Sequence, residues 1–256
     1  MKHLILAAAI LSGPTAVQAA TQATGIVPNP CSSEIEQASK EVDIRLRDFG
    51  QLCRYRAANA ELAKSRRPVR MVMIGDSITD SWIQGDPALF RGGIVDRGIS
   101  GQTTQQMLIR FRADVIALRP ATVHIMAGVN DIAGNTGPTT LEAIEDNIHS
   151  MVDLARAHRI KVMLASVLPA AAFPWAPDQR PVPLIAELNR RLKRYASQNG
   201  LVWVDYYGSL VNREGGMDAV FAADGVHPTA EGYRRMRPIA LKALARTGRS
   251  IAHRAP

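Results

Sequence analysis

Four short stretches hold the residue types that could do chemistry: Gly75-Asp76-Ser77 in GDSIT, Gly98-Ile99-Ser100-Gly101 in RGISGQTT, Gly128-Val129-Asn130-Asp131 in GVND, and Asp224-Gly225-Val226-His227 in DGVHP. A serine hydroxyl is a weak nucleophile until a base removes its proton. Acyl transfer on serine therefore needs a histidine, a group that orients it, and donors for the developing oxyanion. Ser77 follows an apolar run and a glycine, the setting of a strand-to-helix turn. His227 can serve as base, and Asp224, three residues earlier, can return its carboxylate to the imidazole Nδ1 and fix the tautomer. Pro228 restricts the backbone after the histidine and lets Thr229 cap a following helix. The oxyanion donors would be the backbone N–H groups of Ser77 and Gly101 and the side-chain amide of Asn130, which cannot titrate.

Each stretch has a plainer reading by itself. G-D-S and GVND are common turn sequences, and DGVHP could be a turn before a helix or part of a metal site. Asp76, Asp80 and Asp131 read as loop-supporting acceptors rather than reacting groups. His124 falls inside a strand-like run and His149 and His158 on a helix, so none of the three is expected to be the base. Ser100 and Ser166 also follow apolar runs but lack the Gly-Asp-Ser context of Ser77.

The elements that must position these groups can be read from periodicity. Short β-rich apolar runs occupy residues 69–74, 93–98, 121–128, 161–167 and 201–206, the kind buried on both faces of a parallel sheet. Helical segments are expected at about residues 103–118, 139–158, 183–198 and 229–246, and one or two amphipathic helices over residues 31–64 precede the core. Strands alternating with such helices predict βαβ units, hence an α/β fold with a parallel sheet between helices. In open sheets of this kind ligands bind beyond the carboxyl ends of the strands. The first three stretches follow the first three strands and the fourth precedes the last helix, so they fall where that rule puts a site.

In this order and at these positions, GDSIT, the glycine of RGISGQTT, GVND and DGVHP resemble the four blocks of the SGNH hydrolases, also called the GDSL esterase/lipase family, over residues 69–238. The resemblance implies a three-layer α/β/α, flavodoxin-like sheet. It implies Ser77 as nucleophile, Gly101 and Asn130 as oxyanion residues, and Asp224 with His227 as triad partners. Ile78 stands where the usual residue is Leu, and Val129 where many relatives carry Thr; neither removes a reacting group. No G-x-S-x-G occurs, which argues against the α/β-hydrolase turn.

The chain has 256 residues, 46% of them hydrophobic, enough for one sizeable core. Residues 1–19 carry Lys2, an apolar run and small residues at Val17 and Ala19, and read as a secretory signal; residues 20–68 read as a helical extension and residues 69–256 as the hydrolase domain. A periplasmic or secreted protein without a transmembrane segment in the mature chain is expected. In an oxidising compartment Cys31 and Cys53 could bridge if the chain bends near Phe49-Gly50, and the pairing stays open. The net charge of +8 comes from clusters on predicted helices, at Arg66-Arg67, Arg190 to Arg194 and Arg234 to Arg237. They read as solvated faces, and no nucleic-acid partner is expected. The reaction needs no metal or organic cofactor.

The Pro-rich segment at residues 168–183 carries Phe173 and Trp175. With Trp82, these aromatics are the candidate substrate-binding residues, gripping an apolar group or a sugar ring, or else capping the core. No long hydrophobic lid is evident. The expected substrate is thus a small-molecule or glycan ester with a short, acetyl-type acyl group. Three functions follow: a short-chain carboxylesterase; a carbohydrate O-acetylesterase, or a lysophospholipase or platelet-activating-factor-acetylhydrolase-like enzyme; and a non-catalytic carbohydrate-binding protein, against which the full set of reacting residues weighs.

Overall fold

The computed structural model describes residues 48–65 and 67–249. The expected signal at residues 1–19, most of the expected helical extension before Asp48, and Cys31 of the candidate bridge lie outside the described residues. Five parallel strands form the sheet: β1 (Met71–Gly75), β2 (Ile94–Gly98), β3 (Thr122–Met126), β4 (Lys161–Ala165) and β5 (Val202–Val204), in the order β2-β1-β3-β4-β5. This is the flavodoxin-like order, in which the chain reverses direction across the sheet at the β1/β3 boundary. All five residues of β1 and of β3 are buried, as sheet strands covered on both faces must be.

The helices in chain order are α1 (Arg56–Ser65), α2 (Ser77–Asp80), α3 (Trp82–Gly85), α4 (Thr104–Asp114), α5 (Val129–Ile132), α6 (Leu141–Ala157), α7 (Pro181–Gln198), α8 (Tyr207–Leu210) and α9 (Ala230–Arg249). The neighbours α4, α6 and α7 pack side by side, while α9 lies against β4, β5 and α3. The two helix groups cover the sheet from opposite sides, giving three layers.

The boundaries depart from periodicity for local reasons. The helix expected over residues 103–118 ends at Asp114 and continues as a 3-10 turn, Ile116–Leu118, closed by Arg119 in the left-handed region (φ 49°). Helix α7 starts at Pro181, two residues earlier than expected, because proline at the first helical position needs no N–H partner. In the described part of the extension, α1 buries no residue, so it is not an amphipathic core helix. Polar anchors hold this region instead. The Tyr55 hydroxyl donates to the Gly98 carbonyl, and Asn59 Nδ2 donates to Asp114 Oδ1 at 2.7 Å. Among the described residues no helix is long and apolar enough to cross a membrane.

Candidate active site

Strand register brings the first three stretches together. Gly75 is level with Gly98 on one side and with Met126 on the other. The segments that follow, from Asp76, Ile99 and Ala127, therefore emerge side by side at the carboxyl edge. The Gly98 position admits only glycine: a Cβ there would lie 2.1 Å from the Asp80 amide nitrogen. This close approach packs the end of β2 against the first helical turn after Ser77.

Asp76 caps α2, its Oδ1 accepting from the Ile78 N–H at 2.9 Å, and so fixes the turn that presents Ser77 half-exposed. Burial pushes the Asp76 carboxyl up to about 7, against the opposing pull of that N–H and of His227. Ser77 Oγ lies 2.9 Å from His227 Nε2, and His227 Nδ1 lies 2.6 Å from Asp224 Oδ2. The other Asp224 oxygen accepts from the backbone N–H groups of Val226 (2.9 Å) and His227 (2.7 Å). A spacing of three residues thus lets one carboxylate both form the turn and orient the ring. Partial burial raises the Asp224 carboxyl, but the hydrogen bonds from His227 and Val226 outweigh it and hold the group below its ordinary value, charged beside the imidazole.

Gly101 and Asn130 lie on the segments that follow β2 and β3. Gly101 sits at φ 78°, a conformation that costs glycine little. The loop carrying it is tied to α2 by Asp80, whose Oδ2 accepts from the Ser100 N–H and Oγ–H at 3.2 and 2.7 Å. Asn130 is buried, and its Nδ2 donates to the Gln102 carbonyl at 3.0 Å. Asp131, next in sequence, accepts from the Thr104 N–H and hydroxyl, tying the β3 loop to the start of α4. Burial raises the Asp131 carboxyl and these Thr104 bonds offset part of the rise. The arrangement can remove a proton from Ser77 through His227.

The three candidate aromatics separate. Trp175 is 43% exposed and its ring centroid lies 5.9 Å from that of His227. Phe173 is buried beneath it, ring centroids 5.3 Å apart and stacked, so it supports Trp175 rather than offering a contact surface. Trp82 corrects the sequence reading: it is fully buried, stacked on Tyr233 at 5.3 Å and edge-on to Tyr206 at 5.8 Å. The short α3 directs it into the layer between the sheet and α9, so it is core and not part of the site.

His124, His149 and Ser166 have structural partners. His124 is buried with its Nε2 3.0 Å from the Tyr206 hydroxyl, and burial pushes its pKa down to about 3. His149 stacks on Tyr195 at 3.7 Å. Ser166 Oγ accepts from the N–H groups of Tyr206 and Tyr207.

Sequence reasoning missed two residues. Arg110, fully buried in α4, donates to the Gly75 carbonyl (3.0 Å), the Arg97 carbonyl (2.8 Å), Gln102 Oε1 (2.6 Å) and Asp114 Oδ2 (3.1 Å), linking the ends of β1 and β2 to the Gly101 loop. Asn135 joins Asn130, Gly101 and Trp175. Its only sequence signal is a second asparagine five residues after Asn130.

Comparison with known proteins agrees with this geometry. A sequence model of the GDSL-like Lipase/Acylhydrolase family matches residues 73–235, more than half of the chain. Esterase TesA of Pseudomonas aeruginosa is 29% identical over 180 residues, covering 65% of this chain and 83% of that protein. The lipoprotein YqeF of Bacillus subtilis is 33% identical over 79 residues, a match that spans 30% of this chain and only 32% of YqeF. The crystal structure of a candidate acylhydrolase of Bacteroides fragilis superposes with a TM-score of 0.75 at 46% identity, covering 78% of this chain and 98% of that one. With this fold, these four blocks at one sheet edge and a family match across them, the chain belongs to the GDSL-like lipase/acylhydrolase family, the SGNH hydrolases, and is an ester-hydrolysing enzyme.

Proposed function

We propose that the protein is an exported serine esterase that hydrolyses short-chain, acetyl-type carboxylic esters through an acyl-enzyme on Ser77. The observation that carries this reading is the hydrogen-bonded line from Ser77 Oγ through His227 to Asp224, at 2.9 and 2.6 Å. His227 Nε2 takes the Ser77 proton as Oγ attacks the ester carbonyl carbon, and Asp224 stabilises the imidazolium. The carbonyl oxygen becomes an oxyanion opposite the Ser77 and Gly101 N–H groups and the second N–H of Asn130 Nδ2, the first being held by Gln102. Collapse expels the alcohol, which leaves with the proton from His227. Water, deprotonated by the same histidine, then attacks the acyl-enzyme and releases the acid.

The specificity reading rests on Trp175, whose half-exposed ring beside His227 offers an apolar face to the group leaving or entering the site. That face also favours a second reading, a carbohydrate O-acetylesterase, since sugar rings stack on such surfaces. Export rests on the sequence of residues 1–19. The experiment is a chain-length series of p-nitrophenyl esters beside acetylated xylan, acetylated sialic acid and lysophosphatidylcholine. Acetyl esters should be the best of the series. A rate that rises steadily to long acyl chains would overturn the short-chain assignment.

A further inference from the structure

We propose that Asn135 is a positioning residue that sets two of the three oxyanion donors, Gly101 and Asn130, and that the indole N–H of Trp175 fixes its orientation. The inference rests on the serine-esterase reading and extends it to residues behind the site. Asn135 Nδ2 donates to Asn130 Oδ1 at 2.9 Å and to the Gly101 carbonyl at 3.1 Å, while Asn135 Oδ1 accepts from Trp175 Nε1 at 3.1 Å. The Asn135 backbone N–H also donates to the Asn130 carbonyl at 3.0 Å.

A side-chain amide can present either its oxygen or its NH₂ in a given direction, and only NH₂ helps an oxyanion. Asn130 is held the right way round because its oxygen faces a donor, Asn135, and its nitrogen faces an acceptor, the Gln102 carbonyl. Asn135 is held by the same logic one step back: its nitrogen faces two acceptors and its oxygen faces the Trp175 N–H. The chain runs from a half-exposed ring at the mouth of the site to the amide that meets the developing charge. A substrate ring lying on Trp175 therefore bears on the residue that orients the donor, linking the specificity surface to the rate of the chemical step.

The test uses the full-length enzyme with p-nitrophenyl acetate, counting active sites with an organophosphate so that rates are per competent enzyme. Asn135→Asp puts a carboxylate against two acceptors, and Trp175→Phe keeps the ring but removes the N–H. We expect kcat to fall on the order of tenfold or more in Asn135→Asp, short of the 10²- to 10³-fold typical of losing a direct donor. Trp175→Phe should lower kcat severalfold with KM little changed. Affinity for phenylboronic acid, which forms a tetrahedral adduct on the serine, should weaken in parallel with kcat/KM. In an Asn130→Ala background Asn135→Asp should cost less than in the wild type, because one acts through the other. A merely structural role would lower the count of active sites and leave kcat per site and boronate affinity unchanged. That result in Trp175→Phe, a conservative change at a half-exposed ring, overturns the proposal even if Asn135→Asp fails to fold. Ser77→Ala, run alongside, separates the two levels: loss of turnover there with wild-type kcat in both other variants refutes only the positioning role.

Discussion

Replacing Arg110 with Met should destabilise the protein by about 3–5 kcal/mol, the usual cost of removing one partner of a buried ion pair. The guanidinium has no solvent exposure and Asp114 is 1% exposed, so water cannot take over the lost contacts. Asp114 would keep the hydrogen bond from Asn59 Nδ2 at 2.7 Å and the attraction of Arg97, and the Arg97 carbonyl and Gln102 Oε1 would lose a charged donor each. The Gly75 carbonyl retains the Ile99 N–H at 3.1 Å, which limits the loss. At about 2–4 °C per kcal/mol for a domain of this size, the melting temperature should fall by roughly 6–20 °C. Urea unfolding followed by circular dichroism and tryptophan fluorescence measures the loss directly. The double variant Arg110→Met/Asp114→Leu should recover part of it, since it removes the unpaired buried carboxylate but leaves the Arg97 carbonyl and Gln102 Oε1 without their donor. A loss under about 1 kcal/mol, or a double variant no more stable than the single one, would refute the reasoning.

Further outcomes follow from the same structure. Trp82→Ala should cost about 3–5 kcal/mol while Trp82→Phe costs much less, since the indole N–H has no partner among the described residues, and substrate KM should be unchanged in Trp82→Phe. Gly98→Ala should destabilise by about 1–3 kcal/mol in urea unfolding, because the added methyl meets the Asp80 backbone rather than a side chain that can swing away. The Asp76 carboxyl keeps its proton up to about 7 in the folded protein, whereas the unfolded chain releases it near 4. The folded state binds the extra proton between those values, so this group's contribution is largest at the acid end and is lost as pH rises through that window. Asp76→Asn retains the cap on Ile78 and should flatten part of the fall in urea midpoint between about pH 4.5 and 7.5; Asp96, also raised to about 7 mainly by burial, supplies a further part.

The sheet was legible because buried parallel strands announce themselves as short apolar runs, and all five runs became strands within a few residues of the expected bounds. The site was legible because its chemistry demands particular residue types at strand ends. Its supports were not. Arg110 reads as one more polar position in an amphipathic helix, and nothing local marks a guanidinium that reaches backbone carbonyls on two strands. Asn135 reads as a turn former, and its role depends on a tryptophan 40 residues away in sequence. Trp82 misled because its nearness to Ser77 in sequence says nothing of direction: after one turn of helix the chain bends and the side chain points under the sheet to Tyr233.

If Ser77 carries the acyl group, covalent labelling will find it there. The purified enzyme is treated with an organophosphate ester, digested, and the labelled peptide located by mass spectrometry, with hydrolysis of p-nitrophenyl acetate followed in parallel. The account predicts one adduct, on Ser77, formed as activity is lost, and neither adduct nor turnover in Ser77→Ala. An adduct on another residue, or undiminished hydrolysis by Ser77→Ala, would contradict it.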